Sequence, residues 1–492
     1  MALGLDRPYL IGIGGCGMSA LARLLAADGA RVSGSDSTSS PVTDTLLGER
    51  VRVDFDQTAA NLPEDADGVV ASAAIKPDHP QLLEAQQRGL PVYTYAEALG
   101  RSMAGRTGVS IAGTHGKSTT TAMLGCVLTD AGLDPGVIVG ATCGQLGTGC
   151  LAERSPERGG ATGFRMGSPQ IPSGTLAGQP GLLLAEACEF NRSFHHHRPV
   201  VGSIANLEAD HLDIYGSLDA VIEAFAGFAA LLPDESKGGR LLIGHDGAHR
   251  REITAGLKCK VETIGFAPAA DWVVRTDVAD RTVSLDGPGG VHAEWTNLMP
   301  GEHNAMNSAV AAALAIGLGA DPAIVGRSLS AFRGLDRRLQ FLGERVVPGG
   351  GSVRVYDDYG HHPTEIDATL RSLRQAERVG QGGAGRLVCV FQPHQHSRTR
   401  FLLEEFATSF EHADVVIVPH IYFVRDSEAE KHKVSAADLV DRLRSRGVRA
   451  MHLYPFGAIV EHLENVCRPG DLLVVMGAGP VWQVARDYLK GS

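Results

Sequence analysis

Lys117 and Ser118 stand near the end of the run Gly113-Thr114-His115-Gly116-Lys117-Ser118-Thr119-Thr120, where glycines, a cation and hydroxyls fall together. The run follows the apolar residues 109–112 and opens an apolar-periodic segment reaching about residue 131. That order reads as a strand, a glycine-rich turn and a helix N-terminus. Backbone N–H groups in such a turn, with the positive end of the helix dipole, cradle polyphosphate oxygens. Lys117 would reach the β- and γ-phosphates, and the Ser118 hydroxyl would sit on Mg²⁺. The loop is shorter than the G-x-x-x-x-G-K-[ST] pattern, because position 111 is isoleucine. A nucleoside triphosphate is the expected ligand.

Glu186 closes the apolar stretch 182–185, and His211 follows the stretch 200–204 within Asn206-Leu-Glu-Ala-Asp-His211-Leu-Asp-Ile-Tyr215. Both are expected at strand carboxyl ends beside Lys117, where a carboxylate and an imidazole can hold a second Mg²⁺. Gly12-Ile13-Gly14-Gly15-Cys16-Gly17 matches G-x-G-x-x-G, with Asp36 near the end of the next strand. Taken alone that pattern suits a dinucleotide such as NAD or FAD, but tight glycine turns serve any diphosphate, and a uridine diphosphate group is the expected ligand. Ser72-Ala-Ala-Ile75 follows another strand and should lie at the same edge. Asn304 and Asn307 are three apart, share a helix face and suit the polar edge of a purine. Arg337-Arg338 lies at an expected junction between domains, within reach of a nucleotide's phosphates.

Asp357-Asp358-Tyr359-Gly360-His361-His362-Pro363-Thr364-Glu365 reads as a strand-to-helix turn whose acids and imidazoles would be costly to bury without a use. Gln392-Pro-His394-Gln-His396-Ser-Arg398-Thr-Arg400 is a second such turn, suited to bidentate recognition of a carboxylate by arginine. Met476-Gly477-Ala478-Gly479 reads as a third glycine turn. His195-His196-His197 is expected as loop surface, since consecutive side chains do not converge on one ion.

The elements that must position these groups alternate between strand and helix patterns along the chain, which predicts α/β architecture with parallel sheets. A length of 492 residues suggests three domains. Residues 101–108 read as a linker, and residues 153–180, rich in Gly, Ser, Pro and Arg, as a surface insertion. The net charge of −11 disfavours nucleic acid or anionic membranes as partners. No apolar run approaches the roughly 20 residues of a membrane span. Eight scattered cysteines without a C-x-x-C pair, and an N-terminus without a signal-peptide pattern, predict a reducing cytoplasm.

Together, G-T-H-G-K-S-T-T, E-A-D-H-L-D-I-Y, G-E-H-N-x-x-N, D-D-Y-G-H-H-P-T-E and F-Q-P-H resemble the Mur ligase family, in its order and over essentially the whole chain. The resemblance implies three domains: residues 1–106, Rossmann-like, for a UDP-sugar; 107–333, a P-loop ATPase-type sheet; and 334–492, Rossmann-like, for an amino acid. It implies ATP with Mg²⁺, and ligation of L-alanine to UDP-N-acetylmuramate through an acyl phosphate in peptidoglycan precursor synthesis. The branch that adds a murein tripeptide is the alternative. By resemblance Lys117, Glu186, His211 and Arg398 are catalytic, and Ser118, Glu186 and His211 are metal ligands. Gly113 to Thr119 (Thr114, His115 and Gly116 included), His303, Asn304, Asn307, Arg338, Asp358 and His361 would bind ATP. Gly14, Gly15, Gly17, Met18, Asp36, Ser72 and Ile75 would bind the UDP-sugar, and Tyr359, His394 and Arg398 the amino acid. A monomer or weak homodimer is the implied assembly. The chain departs from the family's E-A-D-E-S-D at Cys188 and Asn191, where further acids are usual, at Phe190, where Ser is usual, and at Gln395-His396, where Arg-Tyr is common.

Overall fold

Short apolar runs such as Leu182-Leu-Leu-Ala185 and Leu472-Leu-Val-Val475 are buried from end to end. They form the centres of sheets covered on both faces, as parallel strands require. The computed structural model describes residues 3–152, 162–277, 280–348, 350–380, 385–424 and 426–491. Among these, the strands fall into three sheets, and no sheet crosses from one unit to the next.

The first sheet holds β1 (Pro8–Ile11), β2 (Ser33–Ser35), β3 (Arg52–Asp54), β4 (Gly68–Ala71) and β5 (Val92–Thr94). Its order β3-β2-β1-β4-β5 is parallel throughout and reverses direction between β1 and β4, the place where open α/β sheets bind ligands. The second sheet contains β6 (Thr107–Ala112), β7 (Gly136–Cys143), β8 (Thr162–Arg165), β9 (Leu182–Glu186), β10 (Val201–Ile204), β11 (Arg240–Gly244) and β12 (Lys260–Gly265). It continues through β13 (Trp272–Asp277), β14 (Thr282–Gly287) and β15 (Val291–Thr296), in the order β15-β14-β13-β12-β11-β10-β6-β9-β7-β8. The third comprises β16 (Gln340–Val346), β17 (Ser352–Asp358), β18 (Leu387–Phe391), β19 (Val415–Val418), β20 (Ala450–His452) and β21 (Leu472–Met476). Its order is β16-β17-β21-β18-β19-β20, parallel except for the edge strand β16.

The helix Lys117–Asp130 is buried from Ser118 to Leu128, so its small and apolar residues face protein on every side. Gly125 in it lies so close to Val137 that a Cβ would sit 3.0 Å from that side chain. The alanine-rich helix Glu302–Gly317 packs beside it. The helix Cys16–Ala27 of the first unit packs on β7 and β8 of the second, and Leu10, Leu21 and Leu24 share one apolar cluster with Ile138, Leu183 and Ala185. The first two units therefore meet through a continuous core.

Three expectations change. Residues 101–108 are not an extended linker, because the helix Tyr95–Ser102 runs into them and β6 begins at Thr107. The stretch 153–180 is more than a surface insertion: residues 153–161 lie outside the described residues, but β8 joins the sheet beside β7, and Ile171 is buried in its core. The histidine triplet is largely structural. His195 Nε2 lies 2.7 Å from the Ala224 carbonyl and His197 Nδ1 2.9 Å from Ser110 Oγ, and burial brings His197 down to about 4.

The helix Tyr95–Ser102 meets the 3-10 helix Phe190–His196 at Gly100, where a Cβ would lie 1.8 Å from the His196 carbonyl oxygen. Gly100→Ala is expected to push the two units apart and cost about 1–3 kcal/mol of overpacking. Circular dichroism should record a lower thermal midpoint, and an unchanged midpoint would show that the helix yields freely.

Candidate active site at the junction of three sheets

β6 pairs with β9 on one side and β10 on the other, with Ile111 beside Glu186 and Ala112 beside Ile204. The turn after β6 is thus flanked by Glu186 and by the segment that starts at Asn206. Gly113 and Gly116 adopt φ of 142° and 79°, where side chains are rarely tolerated, and a Cβ on Gly116 would lie 2.1 Å from Asn307 Oδ1. No side chain caps the helix Lys117–Asp130, so its N-terminus is left to an anion. Asn206 braces the turn: its Oδ1 accepts from the His115 N–H at 2.8 Å, its Nδ2 donates to the His115 carbonyl at 3.2 Å, and its carbonyl accepts from the Thr114 N–H. Lys117 Nζ donates to the carbonyls of Gly113 (2.7 Å) and Thr114 (2.9 Å) and pairs with Glu189 at 2.9 Å. Burial opposes its charge, but Glu189 outweighs this and raises the lysine above its ordinary value.

Glu186 Oε2 accepts from the Gly140 N–H at 2.9 Å, in a contact so close that a Cβ on Gly140 would lie 2.6 Å from it. Its Oε1 is buried and has no hydrogen-bond partner among the described residues. An orphaned carboxylate oxygen on the edge that carries the buried hydroxyl residue Ser118 fits a hard cation. His211 takes a left-handed φ of 55° at the start of the helix Leu212–Tyr215 and packs edge-on against Phe190. Burial lowers its pKa despite the neighbouring Asp210, which keeps the imidazole neutral and able to ligate. The orphaned Glu186 Oε1 and the neutral His211 imidazole are each able to ligate a cation.

The third sheet contributes from the turns after β17 and β18. Asp358, buried, accepts from the Leu339 N–H at 2.7 Å, and burial raises it to about 6. Arg337 and Arg338 both lie over the Tyr359 ring, at 5.1 and 4.9 Å, with Arg337 also paired to Asp357 and bonded to the Gly477 carbonyl. His361, brought to about 4 by burial, stands edge-on to Tyr359 and His394. Arg398, 7% exposed, donates to Asp210 Oδ1 through Nη2 at 3.1 Å and through Nε at 3.2 Å, and reaches His211 Nδ1 at 3.4 Å. Its guanidinium fork is therefore occupied by a carboxylate of the second unit. Asp210 is buried, yet Arg398 and the nearby histidines hold it well below the usual aspartate range.

His303 is brought to about 4 by burial. Asn304 and Asn307 do share a helix face, but they bond to each other at 3.3 Å, and Asn304 also donates to the Pro300 carbonyl. In the first unit, the Asp36 carboxylate accepts from the N–H groups of Gly14 and Ser37, both at 2.8 Å, so it closes the glycine turn. Ser72 and Ile75 pack against Gly12, and Gly15 is exposed. The Met18 side chain is buried in the core beneath the turn, and a Cβ on Gly17 would lie 2.9 Å from the Tyr95 ring. Burial, and after it the charge of Glu186, raise the Tyr95 hydroxyl and the Cys16 thiol above their ordinary values.

Asn206, Glu208, Asp210, Glu189 and Glu365 were not among the expected site residues, although all lie inside the runs that pointed to it. Their partners are distant in the chain, so spacing carried no signal of their roles.

Asp210 and Arg398 generate a test. The folded carboxyl sits below its unfolded value of about 3.9. It therefore contributes stability at all pH above that value, lost only as pH falls through the folded value. Asp210→Asn leaves Arg398 buried without a countercharge, a change worth about 3–5 kcal/mol. The thermal midpoint should fall by a constant amount from about pH 8 to about pH 5, and the gap should narrow only in stronger acid. A gap that closes near neutrality would contradict the pairing.

Residues 8–107 match the Mur ligase family catalytic domain, 111–315 the Mur ligase middle domain and 337–479 the Mur ligase glutamate ligase domain. The UDP-N-acetylmuramate–L-alanine ligase of Lachnospira eligens is 36% identical over 98% of this chain and 97% of its own. That of Kineococcus radiotolerans is 39% identical over 99% and 96%. In fold, the chain is similar to the UDP-N-acetylmuramate–alanine ligase of Thermotoga maritima, with a TM-score of 0.74 at 23% identity, covering 98% of both chains. The murein peptide ligase of Psychrobacter arcticus gives 0.73 at 23% identity, covering 99% and 98%. With this agreement over almost its full length, the chain belongs to the Mur ligase family.

Proposed function

We propose that this protein joins the carboxylate of UDP-N-acetylmuramate to the amino group of L-alanine, with ATP converted to ADP and phosphate, as a step in making a peptidoglycan precursor. One observation carries the reading: the helix that starts at the first unit's glycine turn packs on β7, whose Gly140 binds Glu186, while the third unit's Arg398 reaches Asp210 and His211 in the segment that braces the phosphate loop. Three ligands, each held by its own sheet, would meet there. The Lachnospira eligens and Kineococcus radiotolerans relatives, both called UDP-N-acetylmuramate–L-alanine ligases and both matched over nearly their full length, support L-alanine over a tripeptide as the amine. The same reading divides the chain after residues 106 and 333, supported by the absence of any sheet crossing those points among the described residues. No helix among the described residues is long and apolar enough to cross a membrane, and a cytoplasmic location suits an ATP-consuming reaction.

In this reading a carboxylate oxygen of the sugar attacks the γ-phosphorus, and the bond to the β-phosphate oxygen breaks to leave ADP and an acyl phosphate. The neutral alanine nitrogen then attacks the acyl carbon, phosphate leaves with the bonding pair, and the proton lost by the nitrogen passes to that phosphate or to solvent. The sugar carboxylate and the triphosphate are both anionic, so charge must be neutralised before they can meet. Lys117 would exchange the Gly113 and Thr114 carbonyls for phosphate oxygens, and the free amides of the helix start would take the remainder. Mg²⁺ held by Ser118, Glu186 and His211 would supply further neutralisation of the phosphates. Arg398 would hold the amino acid carboxylate once released from Asp210, and closure of the third unit would keep water from the acyl phosphate.

The deciding assay is ADP release with UDP-N-acetylmuramate and, in turn, L-alanine or murein tripeptide, with and without Mg²⁺. L-alanine is expected to support turnover, and a preference for the tripeptide would replace the amine while leaving the chemistry. Lys117→Ala is expected to cost at least about 10²-fold in kcat with the sugar still bound. Gly14→Val would place its Cβ 2.8 Å from Asp36 Oδ2 and open the turn. It is expected to raise KM for the UDP-sugar about tenfold or more with little change for ATP. Equal effects on both substrates would detach that turn from the sugar.

A further inference from the structure

His115, Glu208 and His362 each place one possible ligand atom within 4.8 Å of the others. Two imidazoles with one carboxylate form a nitrogen-rich set, whereas Mg²⁺ prefers oxygens. We propose that these three residues form a binding site for a zinc-class divalent cation that ties the phosphate loop to the third unit.

Four features of the structure support the site. His362 is 5% exposed, and its Nε2 is buried without a hydrogen-bond partner among the described residues. Its Nδ1 accepts a long 3.3 Å contact from the Thr364 N–H and lies 3.9 Å from Glu208 Oε2. The His115 Nδ1 lies 3.2 Å from Glu365 Oε1, which leaves Nε2 toward Glu208 Oε2 at 3.4 Å. A carboxylate behind a ligating imidazole is the usual outer partner of such sites, orienting the ring and making it more basic. Thr364 Oγ1 donates to Glu208 Oε2 at 2.6 Å and so fixes the carboxylate between the rings.

Tetrahedral zinc with bonds of about 2.0–2.1 Å sets its donors about 3.4 Å apart, so the three groups must close by about 1.5 Å at most. His115 and Glu208 belong to the second unit and His362 to the third, so closure draws the phosphate loop and the turn after β17 together.

The test is calorimetric titration of the full chain with Zn²⁺, without nucleotide or sugar, in millimolar Mg²⁺. Because no substrate is added, the result is separate from the ligase reaction. Wild type is expected to take up one tight equivalent, weakened at least about tenfold in both Glu208→Gln and His362→Gln. Circular dichroism would establish that each variant is folded, and Glu208→Gln preserves the side chain's shape. Hydrogen exchange should slow on Zn²⁺ addition in residues 113–117 and 360–366 of wild type. No tight equivalent in wild type, an equivalent unchanged in the variants, or one displaced by Mg²⁺ would each overturn the assignment.

Discussion

The register of β6 between β9 and β10 governs the site. With Ile111 beside Glu186 and Ala112 beside Ile204, three chain segments that finish at residues 112, 186 and 204 end on one line. The turn after β6 can expose helix amides only because Gly113 and Gly116 accept positive φ, and it keeps that shape because Asn206 spans it. A slip of one residue would turn Glu186 to the opposite face, since side chains alternate along a strand. Burial of β6, β9 and β10 on both faces makes such a slip costly.

Around this edge, carboxylates of the protein are paired with the cations that would serve ligand anions. Glu189 holds Lys117, Asp210 holds Arg398, and Glu208 with Glu365 hold His115. Each pair is buried or nearly so, where an unpaired charge would be expensive. An incoming phosphate or carboxylate would replace one anionic partner by another, and the cations never need to stand alone. Two of these pairings bridge the second and third units, so the junction is charge-matched before any ligand enters.

The first unit joins the second by a different force. The helix that begins at the glycine turn packs its apolar face on β7 and β8, and Gly100 admits the His196 backbone. Close backbone approach and shared core make this contact less adjustable than the polar junction on the other side. The contrast leaves the third unit freer than the first to move relative to the phosphate loop.

The chain's local features carried much of this protein. Apolar run length marked the sheet-centre strands, glycines before Lys117 and around Gly14 marked the turns, and the resemblance rested on these same runs. Locality also explains the errors: β8 follows a segment without periodicity, and its place beside β7 depends on a partner elsewhere in the chain. His197 resembled surface until Ser110, on a different strand, supplied its hydrogen bond. Lys117 could be named from its neighbours, whereas Glu189 as its partner, Asp210 as the mate of Arg398 and Asn206 as the brace of the loop could not. Turn and strand propensities act over a few residues and can be read from sequence, but charge pairing and close approach act through space. Only the packing of strands and helices decides which distant groups share it.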